Sequence, residues 1–283
     1  SLTYTVRERG SPLSQLPSDD QVTQVTQAPP LPSADRLGTG AMIGDIQLGQ
    51  RVGEGLSSVV YEARNLLVGK RCAVKLLRSE LAIGPVKRGR LLHAAKRADA
   101  LGLPGAIATF DGGVTGDGQT TYLVQQWCEG RPLRQLLAEH GALSRRAYLP
   151  LMRQICQTLA AAHGAGLAHR ALHGGNILVL PGDSGPQIKL LDFGIHEVHP
   201  KVDEQLPGLE RSADHAFYLA PEQVKGQPGD AKSDIYALSA LLYEMITGRP
   251  PLAAETFEST AERHLNDTPL TPSELASLPS ELE

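Results

Sequence analysis

Between Ile43 and Trp127 the apolar residues fall in short, β-branched runs parted by glycine-containing turns: IGDIQLGQRV, SSVVYEARN, KRCAVKLL, GAIATFDGG and TTYLVQQW. Runs of this length and composition predict the strands of a small antiparallel sheet. Between the third and fourth lies VKRGRLLHAAKRADALG, Val86 to Gly102, with apolar residues at helical spacing and a glycine stop. It predicts one helix packed on that sheet. After Trp127 the pattern turns helical in LRQLLAEHG, RAYLPLMRQICQTLAAAHGAG and SDIYALSALLYEMITG, interrupted by the short strands NILVL and QIKLL. The expected architecture is α+β and two-lobed: a small antiparallel β lobe with one main helix over residues 43–126, and a larger, mainly helical lobe over 127–266. Residues 1–42, which include QAPPLPSAD, keep neither period and read as a flexible lead-in. Residues 267–283 read as a linker or as the cut end of the larger lobe.

The 283-residue chain is 41% hydrophobic, enough for an ordinary core. Its 27 basic and 31 acidic residues give a formal charge of −4, the wrong sign for a nucleic-acid footprint, and no nucleic acid is expected as a partner. Cys72, Cys128 and Cys156 are odd in number and widely spaced, which fits reduced thiols in a cytoplasmic compartment. The longest apolar run, Ile235 to Ile246, is too short to cross a bilayer and contains Ser239 and Glu244, so it reads as a buried helix. The chain begins at Ser1 without a signal-peptide pattern and is expected to be a segment of something longer.

The candidate chemistry lies in short motifs in a fixed order. RVGEGLSSVVYEA places Gly53 and Gly55 in a turn between two strands, where bare backbone can close over phosphate groups. CAVKLL puts Lys75 on the third strand. HRALHGGN, His169 to Asn176, forms a loop, and the strands after it deliver Asp192, Phe193 and Gly194. Ala220, Pro221 and Glu222 follow, then the helix that ends in TGRPP. Each motif alone is weak. The ordered set resembles the eukaryotic-type Ser/Thr protein kinases of bacteria, from residue 43 to about 280. The resemblance implies a protein kinase-like fold in which Lys75 meets the ATP phosphates, Asp192 and Asn176 hold magnesium, and the loop from His169 to Asn176 addresses the acceptor hydroxyl.

Against that family pattern the departures concentrate in the active site. Ser58 stands at the third glycine of the turn. Ala171 replaces the aspartate of the HRD triplet, His173 replaces the lysine two residues on, and His215 stands where a threonine usually precedes the tyrosine of YLAPE. The helix acid that pairs with the strand lysine falls at Ala94. No shift of frame restores it, because Leu81 to Ala98 holds no Asp or Glu but Lys87, Arg88, Arg90, Lys96 and Arg97. This basic helix reads as a solvated face, and Lys75 is expected to lack its partner. Loss of a positioned general base costs about 10²–10⁴ in rate, or about 2.7–5.4 kcal/mol. A misplaced Lys75 and the change at His173 weaken the electrostatic remainder.

On this count the chain is expected not to be an enzyme but a pseudokinase, with Gly53, Gly55, Ser58, Lys75, Asn176 and Asp192 as a vestigial nucleotide site. No cofactor is expected, although Mg-ATP binding without turnover stays open. The alternative is a divergent protein kinase with weak ATP-dependent phosphotransfer, in which His173 or water stands in for the base. The histidines His169, His173, His196, His199 and His215 have no cysteine nearby or helix to fix them, so no metal site is expected.

Asp192 to Glu222 contains no threonine and one serine, Ser212, which excludes activation by phosphothreonine there and leaves Arg170 without that phosphate. Thr23 and Thr26 follow two aspartates, Thr268 follows Asp267, and Thr271 comes three residues later. These are the candidate phosphorylation sites, Thr268 foremost. Acidic residues ahead of a threonine attract basic kinase grooves, and a phosphothreonine in an extended segment suits FHA domains. The expected partners are an active Ser/Thr kinase and an FHA-domain protein. HRALHGGN, the Ala, Gly and Arg content and the Pro/Thr-rich ends also resemble the intracellular pseudokinase segment of MurJ-type lipid II flippases. That resemblance implies a cytoplasmic scaffold tethered to the inner face of the plasma membrane, joined to a flippase portion of the same polypeptide and restraining peptidoglycan precursor export.

Overall fold

The computed structural model describes residues 37–55, 57–78, 84–116, 118, 120–183, 185–197, 214 and 216–275. Thr23, Thr26, His199, Ser212 and His215 lie outside the described residues.

Strands β1 (Met42–Ile43), β2 (Ile46–Glu54), β3 (Ser58–Asn65), β4 (Arg71–Leu77), β5 (Thr109–Val114) and β6 (Thr121–Gln126) form an antiparallel sheet in the order β1-β2-β3-β4-β6-β5. Alternation decides which residues face inward. Val59, Tyr61 and Ala63 on β3 and Cys72, Val74 and Leu76 on β4 fill one face together with Leu48 and Val124. Leu37 joins them, and its carbonyl accepts the Tyr61 hydroxyl at 2.7 Å. Leu77 and Leu123 belong to a separate cluster and meet the helix α1 (Pro85–Ala100), which opens on a proline suited to its first turn.

The larger lobe runs through β7 (Arg131–Pro132), α2 (Leu133–His140), α3 (Arg145–Gly164), β8 (Ile177–Leu180), β9 (Gln187–Leu190), α4 (Pro221–Val224), α5 (Ala231–Thr247) and α6 (Phe257–Asn266). Its core includes Leu133, Leu137, Ile155, Leu159, Leu241 and Met245. Helix α5 starts at Asp230, whose carboxylate accepts from Lys232 N at 2.7 Å, and stops at Gly248, which takes the left-handed conformation (φ 78°). The expected two-lobed α+β architecture is present. It gains the two-residue strand β1 and, beside the predicted strands NILVL and QIKLL, the third strand β7. Among the described residues no helix is long and apolar enough to cross a membrane.

Candidate active site

The loop from His169 to Asn176 is held from below by one carboxylate. Asp234, in the first turn of α5 and fully buried, accepts from the backbone N–H of His169 at 2.7 Å and of Arg170 at 2.6 Å, and from His163 Nε2 at 2.8 Å. Arg170 is thereby kept at φ 62°, a left-handed conformation that costs a non-glycine residue about 1–3 kcal/mol. His169 is completely buried, donates from Nε2 to the Leu191 carbonyl at 2.7 Å, and packs its ring 4.7 Å from that of Phe193. Burial pushes its pKa below the ordinary imidazole value, so it is a neutral structural peg joining the loop to the segment before Asp192. Sequence reasoning missed Asp234. Its one faint signal is its place on a helical stripe with the buried Ala237, Leu238, Leu241 and Met245, where a lone acid needs a reason.

Further along the loop, Asn176 donates from Nδ2 to the Ala171 carbonyl at 2.9 Å, which leaves its amide oxygen to act as an acceptor. The Asn176 carbonyl accepts from Leu191 N at 2.8 Å and so ties this residue to the neighbour of Asp192. His173 caps the short 3-10 turn Gly174–Asn176 by accepting Gly175 N–H on Nδ1 at 3.0 Å. Ala171, at the place of the family carboxylate, turns toward apolar residues and packs beside the cluster of Leu77, Leu91, Ala95, Leu123 and Ile195.

That cluster explains how α1 is fixed without its acid. Ala94 lies directly against Gly194, where an added methyl would come 2.5 Å from the Ala94 Cβ. Leu91, wholly buried, is worth about 1.5–3 kcal/mol, whereas a buried ion pair is close to neutral against apolar packing. Apolar contact therefore holds the helix at least as well. The expectation that Lys75 lacks a partner is corrected. Lys75 Nζ forms an ion pair with Asp192, and both side chains are only 7% exposed. Asp192 stands at φ 68°, again left-handed. Burial alone would raise its pKa, but the charge and hydrogen bond of Lys75, and more weakly His169 and His173, hold it below the usual carboxylate range.

The pair engages one oxygen of Asp192. The other, Oδ1, is buried and has no hydrogen-bond partner among the described residues. A buried carboxylate oxygen left bare is costly unless a cation meets it. Asp192 and Asn176 are both hard oxygen donors, and the site fits magnesium held by these two residues. The β2–β3 turn is drawn tight by Gly55 N donating to Ser58 O at 2.9 Å and by Arg78, which binds Glu54 and the Gly55 carbonyl. Gly55 lies in this turn as expected, whereas Gly53 pairs with Val60 inside β2 and Ser58 is buried in β3. Arg170 donates to His196 at 2.9 Å, so it is engaged without a phosphothreonine. Glu222 accepts from the Ser233 hydroxyl. Thr268 is exposed, whereas the Thr271 hydroxyl is tied to Glu274 at 2.8 Å.

A family model of the protein kinase domain matches residues 46–280. This chain belongs to the protein kinase family. It is 36% identical over 236 residues to a probable serine/threonine-protein kinase of Corynebacterium efficiens, covering 82% of this chain and 35% of that protein. It is 32% identical over 229 residues to the serine/threonine-protein kinase PknB of Mycobacterium tuberculosis, covering 80% and 36%. The chain thus spans about a third of the length of these relatives. The crystal structure of the Mycobacterium tuberculosis PknI kinase domain matches with a TM-score of 0.65 at 21% identity over 84% of both chains, a likeness of fold. These findings overturn the expectation that the chain is not an enzyme: the family model covers most of its length, and the relatives are named serine/threonine-protein kinases. That expectation equated each absent side chain with absent catalysis. Because the phosphoryl-transfer transition state is loose, loss of the base alone slows transfer without abolishing it.

Proposed function

We propose that the chain is a divergent, slow ATP-dependent protein kinase acting on Ser or Thr hydroxyls. The observation that carries this reading is Asp192, buried, ionised, held in a strained conformation beside Lys75, and offering a bare oxygen. Such an arrangement costs free energy and is what a phosphate and cation site requires. In the reaction the acceptor oxygen bonds to the γ-phosphorus while the bond from that phosphorus to the β-bridging oxygen breaks, releasing ADP. Ala171 cannot take the acceptor proton, which leaves to a phosphoryl oxygen or to water. Lys75 and the β2–β3 turn would orient the phosphates, and Asp192 with Asn176 would hold the metal, which would neutralise phosphate charge.

The test uses γ-labelled ATP with magnesium and a general protein substrate. Wild type should transfer label slowly, Asp192→Asn should stop it, and Ala171→Asp should raise the rate by about 10²–10⁴-fold. Absence of transfer from both wild type and Ala171→Asp would refute the reading.

Thr268 supports a regulatory role beside this activity. It is exposed just beyond α6, while Thr271 is engaged with Glu274. On this reading an upstream Ser/Thr kinase modifies Thr268 and an FHA-domain protein reads it, which makes the chain a phosphorylation-dependent scaffold. The resemblance of HRALHGGN to flippase-linked segments supports placing it beside a lipid II exporter. Capture by an FHA domain after phosphorylation should disappear with Thr268→Ala and persist with Thr271→Ala.

A further inference from the structure

Leu66, Leu67 and Val68, at the tip of the β3–β4 hairpin, are 51%, 75% and 64% exposed. The other large apolar side chains that reach solvent among the described residues stand singly along the sequence, which is ordinary for a surface. Three in succession are not. The turn is built to hold them out. The Asn65 side-chain oxygen accepts the N–H of Leu67 at 3.0 Å and of Val68 at 3.2 Å. Asn65 N donates to the Lys70 carbonyl and Leu66 N to the Asp45 carbonyl, each at 2.9 Å. Four successive N–H groups are thus satisfied without water, which lets the turn leave bulk solvent at little cost.

Charge frames the tip. Arg64 and Lys70 stand exposed at its two shoulders, and neither enters an ion pair among the described residues. Arg71 is otherwise engaged: Glu62 and Glu129 each hold its guanidinium at 2.9 Å, and it lies 4.7 Å over the Trp127 ring. Asp45, exposed on the β1–β2 turn, is the opposing charge. Two cations against one acid leave the tip positive in a chain whose formal charge is −4. We propose that the β3–β4 turn touches the surface of an anionic bilayer. Leu66, Leu67 and Val68 enter the boundary between headgroups and acyl chains, while Arg64 and Lys70 meet lipid phosphates. A second copy of the chain suits the turn less well, because a two-fold contact there would set the same cations against each other. Three side chains and two cations make a weak, reversible contact.

Sedimentation of the full chain with vesicles tests the contact. Wild type should bind vesicles of equal parts phosphatidylglycerol and phosphatidylcholine about fivefold more tightly than phosphatidylcholine alone. Replacing Leu66, Leu67 and Val68 together with serine should weaken binding at least about tenfold and leave the thermal midpoint in place, since none of the three belongs to a core cluster. Lys70→Ala should weaken anionic binding about fivefold, and Asp45→Asn should strengthen it about fivefold, a gain that no loss of folding can imitate. Emission from Leu67→Trp should shift to the blue on vesicles and be quenched by brominated acyl chains, with wild type, whose single tryptophan is Trp127, as the baseline. The proposal is overturned by wild type that binds no vesicles, by binding that survives the serine replacement, or by a Leu67→Trp emission unchanged on bound vesicles. A lipid-free dimer lost with the serine replacement would make the turn a self-contact instead and equally overturn it. The assay contains no nucleotide, so any of these results leaves the phosphotransferase reading standing.

Discussion

The two sides of the active site are supported by different physics. The catalytic loop rests on polar contacts: Asp234 gathers two backbone amides and His163, and His169 pins Leu191. Helix α1, on the opposite side, rests on apolar contact: Leu91 and Ala95 against Leu77, Leu123 and Ile195, and Ala94 against Gly194. Polar support fixes dihedral angles and tautomers one by one, as Arg170 at φ 62° shows. Apolar support fixes position but not charge, and it frees the strand lysine to choose another partner. An absent ion pair therefore says little about whether a helix is in place.

The largest expected effect tests the polar side. Asp234→Ala leaves two buried amides and a histidine without their acceptor and should destabilise the protein by about 3–5 kcal/mol in chemical unfolding. Phosphotransfer should fall further than stability requires, because Arg170 and Ala171 lose their positions. A change under about 1 kcal/mol, the net worth of one ordinary hydrogen bond, would show that the loop does not depend on this carboxylate.

Gly194→Ala probes the apolar side. The new methyl meets Ala94 at 2.5 Å and the residue sits at φ 89°, so about 1–3 kcal/mol of destabilisation is expected. Adding Ala94→Gly should recover the steric part and leave the conformational part. A double variant no more stable than the single one would place the strain elsewhere.

The smallest effect separates the sides by pH. His169 and His264, both in the helical lobe, are pushed below the ordinary imidazole range by burial. Their folded pKa values lie below the unfolded ones, so the unfolded chain binds more protons below about pH 6.5. Stability is full above that pH and falls as pH drops through it, by at most about 1.4 kcal/mol per unit for each histidine. Thermal unfolding between about pH 7.5 and 5.5 should follow this slope, and His264→Gln should flatten it in part. A flat profile would mean that neither ring is kept neutral.

The sheet strands, α1 and the long helices were legible because their periods are regular and their stops are glycines. Lys75, Asn176, Asp192 and the glycine turn were legible from order along the chain. Three features were not. The ion pair between Lys75 and Asp192 joins residues far apart in sequence, and nothing local announces it. The packing of Ala94 on Gly194 depends on two small residues whose meaning lies in what they exclude. The anchoring by Asp234 hid inside a helix read only for its apolar content. Function misled in a different way: the missing side chains pointed away from catalysis, and kinship with named kinases overturned that inference.

The ion pair also bears on how the cleft greets its cargo. With Ala94 where the family's helix acid would stand, the Lys75 ammonium rests where a divalent cation would exert its pull, keeping Asp192 charged and shaped in advance. On the proposed reading a metal would meet the other oxygen, Oδ1, without displacing that ammonium.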